Sequence, residues 1–184
     1  MSIYNDTLVN EDNNNIIKII HINNEEKLYK YFDKIFVLYQ KKYNILPYSR
    51  RLNKSDILMN LIDCVENGLL IISSDNSVIT GYFSLIKANK MFFQDEDIKS
   101  KIKNLISCEF NKCWYINSYF MEDRLIDNLV VKIETPIIVK IYDNISIEYF
   151  KLCDFRKTNI CEKIRVIVNS IIVEHTVSYM ILDE

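Results

Sequence analysis

Residues 148–158 read Glu148-Tyr149-Phe150-Lys151-Leu152-Cys153-Asp154-Phe155-Arg156-Lys157-Thr158, and the change of period inside this stretch decides the fold. Up to Cys153 the apolar residues recur at helical spacing. Ile147, Phe150 and Cys153 share one face, which predicts a helix over 144–153. From Phe155 the chain turns β-branched and alternating, which predicts strands over 155–173 and 175–182. A helix that hands over at once to two closing strands sets the frame for everything upstream.

Working outward, residues 137–142 form a short apolar run after Pro136 and read as a strand. Residues 125–133 are apolar enough for helix or strand. Residues 112–121 read as a central strand. A helix is expected over 95–107, with Ile98, Ile102, Leu105 and Ile106 on one side. Before it, 69–73 and 78–86 flank the polar turn Ser74-Asp75-Asn76-Ser77 and predict a hairpin. A helix starting near Ser55 as its cap carries Leu58, Leu61, Ile62 and Val65 and stops at Gly68. Leu28, Phe32, Ile35, Phe36, Tyr39 and Tyr43 predict an amphipathic helix over 25–43, and 16–22 reads as a first strand. Residues 1–15 are polar and Asn-rich and read as a flexible tail, leaving 16–184 as one domain. The order implies an α+β class: a mixed, mostly antiparallel sheet flanked by helices, not a doubly wound parallel sheet.

Composition narrows the function. The 184 residues carry 23 Lys plus Arg against 25 Asp plus Glu, so no global positive field exists to gather nucleic acid or an anionic membrane. No apolar run reaches membrane-spanning length, and the N-terminus lacks the basic start and apolar run of a signal peptide. A soluble cytoplasmic domain without nucleic-acid or membrane partners is the expectation. Gly and Pro number 2 each and Ala88 is the single alanine, against 31 Ile and 20 Asn, a bias expected of an AT-rich genome. Two glycines allow few loops that approach a phosphate closely.

The five cysteines, Cys64, Cys108, Cys113, Cys153 and Cys161, are odd in number and contain no CxxC. They read as buried thiols acting as small hydrophobes, not as a disulfide framework or a zinc site. His21 and His175 sit in apolar-alternating contexts and read as structural, so no metal is expected.

Four stretches carry a family resemblance. Residues 148–158 resemble the aromatic-Tyr-x-Lys-Leu-Gly-Phe-x-Lys segment of the GCN5-related N-acetyltransferases (GNATs). Arg165–Glu184 resembles their final hairpin, with Tyr179, Leu182 and Glu184 at its end; Ser77–Leu85 (SVITGYFSL) resembles a strand ending in Gly-Tyr/Phe. Tyr115–Arg124 (YINSYFMEDR) is similar to the central strand that leads into the pyrophosphate loop. The resemblance implies that acetyl-CoA lies where the central strand parts from its neighbour, along Tyr119, Phe120 and Met121. It further implies that the diphosphate meets a loop containing Arg124 and Asn128, held by backbone N–H groups at a helix N-terminus.

For chemistry, the resemblance implies a carboxylate that deprotonates an amine and a helix tyrosine that protonates the leaving thiolate. Glu122, beside Asp123, and Tyr149 fill those roles. The acceptor implied is a small-molecule or peptide amine, and the closing strands imply a homodimer. The sequence departs from the family at three places. Asp127 and Leu129 occupy the loop's glycine positions, Phe150 stands at the tyrosine position with Tyr149 about 100° around the helix, and Asp154 replaces a glycine. A GNAT-fold binding module without CoA is therefore the alternative expectation, and an unrelated α+β interaction protein a third.

Overall fold

The computed structural model describes residues 7–10, 15–45, 52–90, 96–106, 108–121, 136–142, 144–168 and 171–183. The strands are β1 (Thr7–Asn10), β2 (Asn15–Ile22), β3 (Gly68–Asp75), β4 (Val78–Lys87), β5 (Trp114–Met121), β6 (Ile137–Ile141), β7 (Arg156–Val168) and β8 (Ile171–Leu182). The helices are α1 (Glu25–Ile45), α2 (Lys54–Asn67), α3 (Glu96–Leu105) and α4 (Asn144–Leu152), with a 3-10 turn at Ala88–Lys90. The strand order is β1-β2-β3-β4-β5-β6-β8-β7. β1/β2, β2/β3, β6/β8 and β7/β8 pair antiparallel, while β5 and β6 pair in parallel, so the α+β expectation holds.

The chain falls into two compact units. The first holds β1, β2, α1, α2, β3, β4 as far as Leu85, and β5 from Ser118. Its core packs Leu28, Phe32, Ile35 and Tyr39 of α1 and Ile57 and Leu61 of α2 onto Leu70, Ile72, Ile79 and Tyr82 of the sheet, with Phe120 against it. Helix α1 starts at Asn24, whose side-chain oxygen accepts the Lys27 N–H at 2.8 Å, with Glu25 and Glu26 in the first turn. The cap of α2 is Asn53 and not Ser55: Asn53 Oδ1 accepts the Asp56 N–H at 2.8 Å, and the Ser55 hydroxyl donates to the same oxygen at 2.6 Å. Gly68 ends α2 and opens β3 under close cover, since a Cβ there would stand 2.0 Å from the Leu85 carbonyl oxygen. At the β3–β4 turn Asn76 and Ser77 both take positive φ, 46° and 70°, as a two-residue turn matched to strand twist requires.

Two expectations change here. Thr7–Asn10, inside the segment read as a tail, is an edge strand in register with Asn15–Lys18. Its two apolar residues, Leu8 and Val9, stand side by side and gave no alternation to read, while the edge ladder itself is built from backbone groups. The strand expected over 155–173 reverses earlier: the β7–β8 ladder closes on Val168↔Ile171.

The second unit runs from Ile86 to Asn117 and resumes at Pro136 among the described residues. Here the 148–158 stretch acts as one device. Helix α4 ends with the Asp154 N–H bonded to the Lys151 carbonyl and the Phe155 N–H bonded to the Phe150 carbonyl, at 3.1 and 3.0 Å. Asp154 sits at φ 62°, and the Phe150 and Phe155 rings meet edge-on at 4.9 Å. These are the paired bonds, left-handed residue and apolar contact of a Schellman stop. Phe150 is fully buried, so its ring anchors both the helix end and the first residues of β7.

Candidate functional site

Strand β5 carries the expected cofactor residues. Tyr119, Phe120 and Met121 follow one another at its end, in the first unit. Lys42, in the last turn of α1, donates to the Tyr119 carbonyl at 2.9 Å and lies 3.1 Å from the centre of the Tyr119 ring. The cation is thus held by a carbonyl dipole and a ring face together. One residue earlier, Ser118 ties β5 to β4: its hydroxyl meets the Tyr82 hydroxyl at 2.7 Å, and its carbonyl accepts from the Ser84 hydroxyl at 3.0 Å. Phe120 packs on the core of the first unit. Glu122, Asp123, Arg124, Asp127, Asn128 and Leu129 lie outside the described residues.

In the second unit the parallel ladder of β5 with β6 covers three pairs, Trp114↔Ile137, Tyr115↔Ile138 and Ile116↔Val139. Tyr149 stands on α4, half-buried, with its ring edge-on to Phe150 at 5.5 Å. It belongs to the other unit from Tyr119, Phe120 and Met121. The adjacent Phe150 offers no proton and no exposed surface.

One polar constellation was not singled out from the sequence. Lys140 of β6 donates to Glu162 of β7 at 2.7 Å, and the Tyr179 hydroxyl of β8 donates to the same carboxylate oxygen at 2.7 Å. The strands bring them to one face: Lys140 is in register with Tyr179, and Glu162 with Val177, two residues from Tyr179. The available signal was a charge on the inward parity of an alternating strand, Glu162 in step with Thr158 and Ile160. Glu162 retains 8% exposure and Tyr179 1%, too little to meet a substrate. The trio is a satisfied buried ion pair that fixes strand register.

Between α3 and the start of β7 lies an open cavity of about 590 Å³, lined by Ile98, Lys101, Asn104, Leu105 and residues 156–161. Two of its cationic heads are engaged: Arg156 pairs with Asp183 at 2.6 Å and also donates to the Leu105 carbonyl, and Lys101 pairs with Asp97. Arg156 holds the Asp183 carboxyl below the usual carboxylate range through a hydrogen bond and its charge.

The thiols divide. Cys64, Cys113 and Cys153 are buried as expected, whereas Cys108 is half-buried and Cys161 exposed, on the outward parity of β7. His175 Nε2 lies 2.7 Å from the Tyr142 carbonyl oxygen. Among the described residues no cluster of three metal-ligating side chains occurs, and no helix is long and apolar enough to cross a membrane.

No family model matches the chain, and no curated protein matches it by sequence. Solved structures do match by shape. The structure of yncA from Salmonella typhimurium with its cofactor acetyl-CoA is 13% identical, covers 91% of this chain and 93% of its own, and gives a TM-score of 0.55. The polyamine N-acetyltransferase of Drosophila melanogaster is 9% identical over 91% of this chain and 100% of its own, with a TM-score of 0.58. NAA60 of Arabidopsis thaliana, in complex with a bisubstrate analogue, is 17% identical over 90% and 97%, with a TM-score of 0.56. Likeness at such identities is likeness of fold, and the fold of this chain is that of the GCN5-related N-acetyltransferases.

Proposed function

We propose that this chain is an N-acetyltransferase of the GNAT type, working in the cytoplasm, that moves an acetyl group from acetyl-CoA to a primary amine. The acceptor class is a polyamine, a peptide N-terminus or another small amine. The observation that supports this reading is the parallel β5–β6 pair, only three residue pairs long, among antiparallel strands of a fold shared with an acetyl-CoA complex. The donor set fits an anionic cofactor in sign, because Lys42 brings an ammonium to the Tyr119 end of β5. Acetyl-CoA, when bound, supplies the thioester carbonyl that the amine attacks.

In this reading Glu122 takes the proton of the incoming ammonium, and Tyr149 holds a proton for the leaving thiolate. Tyr119, Phe120 and Met121 flank the cofactor, and Arg124 with Asn128 meets its diphosphate. A second copy of the chain is part of the proposal, joined through the closing strands. Sedimentation at micromolar concentration that returns only the 21.9 kDa species removes that part.

A second reading, a GNAT-fold binding module without catalysis, is favoured by Phe150, buried and without a hydroxyl where the family carries tyrosine. Asp127 adds a like charge at a glycine position of the diphosphate loop. Thermal denaturation with millimolar acetyl-CoA separates the two. A ligand at 100 times its Kd contributes about 2.7 kcal/mol, a rise of several degrees in Tm for a domain of this size. The enzyme reading expects that rise together with acetylated polyamine or peptide product. Neither a rise nor product discards it and leaves the binding module.

A further inference from the structure

We propose that Cys108 and Cys113 form a redox-responsive dithiol, which a hydroperoxide converts to a disulfide at the base of β5. Their sulfurs stand 3.0 Å apart, closer than two sulfurs rest without a hydrogen bond, and a disulfide needs about 1 Å more approach. The approach is built in. The Lys112 N–H bonds to the Glu109 carbonyl at 2.8 Å and the Cys113 N–H to the Phe110 carbonyl at 3.3 Å, which turns the chain back on itself. The turn is anchored from outside by the Ala88 N–H on the Cys113 carbonyl, at 2.9 Å, and the Asn89 N–H on the Phe110 carbonyl, at 3.3 Å.

The two thiols differ in the way a stepwise oxidation requires. Cys108 is half-buried and meets the oxidant, whereas Cys113 has no exposed surface. Burial, then the hydrogen bond with Cys108, pushes the Cys113 thiol up to about 12, so it stays protonated and does not compete for peroxide. The Lys87 ammonium lies within electrostatic reach of both sulfurs.

In the first step the Cys108 sulfur attacks one peroxide oxygen and the O–O bond breaks. With hydrogen peroxide this leaves a sulfenic acid on Cys108 and one water. In the second step the Cys113 sulfur displaces that hydroxyl, which leaves as water with the Cys113 proton. Two thiols have then lost two electrons and two protons, and the peroxide has become two waters.

The test treats the full chain with a small excess of hydrogen peroxide in a Cys161→Ser background, blocks remaining thiols under denaturing conditions and maps the peptides. The expected result is loss of two free thiols, a Cys108–Cys113 cross-link lighter by two hydrogens, its reversal by dithiothreitol, and a Tm raised by a few degrees. Cys108→Ser should abolish the cross-link and leave Cys113 alkylatable. The inference is overturned if Cys108 advances to sulfinic acid while Cys113 remains a free thiol. It is equally overturned if cross-links spread over Cys64, Cys108 and Cys153 without preference. Mapping the chain that retains both thiols decides the matter even if Cys108→Ser folds poorly.

Discussion

Asp154 holds its backbone at φ 62°, a conformation that costs an L-residue energy and glycine almost none. The sequence already marked this position, because aspartate stands where the resembling family carries glycine. Tertiary context requires the left-handed residue here: the two hydrogen bonds that stop α4 close only around it. Asp154→Gly should therefore raise stability slightly, by under about 1 kcal/mol, part of the gain being lost to a more flexible unfolded chain. Asp154→Val should lower it by about 1–2 kcal/mol, since a β-branched side chain is poorly tolerated there. Urea midpoints for the two variants check the order. A valine variant as stable as the aspartate would refute the account of the cap. Among the candidate site residues, Phe120 is partly buried and packs on the core of the first unit, as aromatic residues in strands commonly do.

At the level of elements, helical periodicity was legible among the described residues, while the 125–133 stretch, open to either helix or strand, lies outside them. Expected and observed helices overlap over 25–43, 55–67, 96–105 and 144–152, because each buries one apolar face. Strand ends were less legible. The β7–β8 reversal lies between Val168 and Ile171, where the sequence holds the polar pair Asn169-Ser170, a turn signal that the strand reading over 155–173 passed over. The Lys140–Glu162–Tyr179 trio was missed because its members come from three strands, and only ladder register brings them together. Its energetics predict strong coupling. Lys140→Met or Glu162→Leu alone strands a buried charge and should cost about 3–5 kcal/mol. The double variant should cost markedly less than the sum, because neither charge is then left unpaired. Chemical denaturation of the cycle measures this directly, and additive losses would show that the pair does not hold the strands.

For the whole molecule, the link between folding and pH runs through the end of the chain. Arg156, the first residue of β7, grips Asp183 with two hydrogen bonds at 2.6 and 2.8 Å. The bonds and the guanidinium charge depress the Asp183 carboxyl in the folded state. A depressed carboxyl contributes stability above its unfolded value of about 4, and the contribution fades as pH falls through the lower folded value. The pair is partly exposed, so the effect is modest. Asp183→Asn should lower Tm at pH 7 and approach the parent as pH falls below the depressed folded value of the carboxyl; a deficit that stays equal from neutral pH into acid would contradict the assignment. From sequence alone came the α+β class, the helices, the hairpin around Asn76 and the resemblance to an acetyltransferase, all of which depend on periodicity and turn chemistry within a few residues. Only the tertiary structure decided the three-pair parallel ladder of β5 on β6, the buried Lys140–Glu162 pair and the contact of Cys108 with Cys113. The ladder and the ion pair join separate strands, and the thiol contact depends on a turn anchored at Ala88 and Asn89, distances that the chain acquires only on folding.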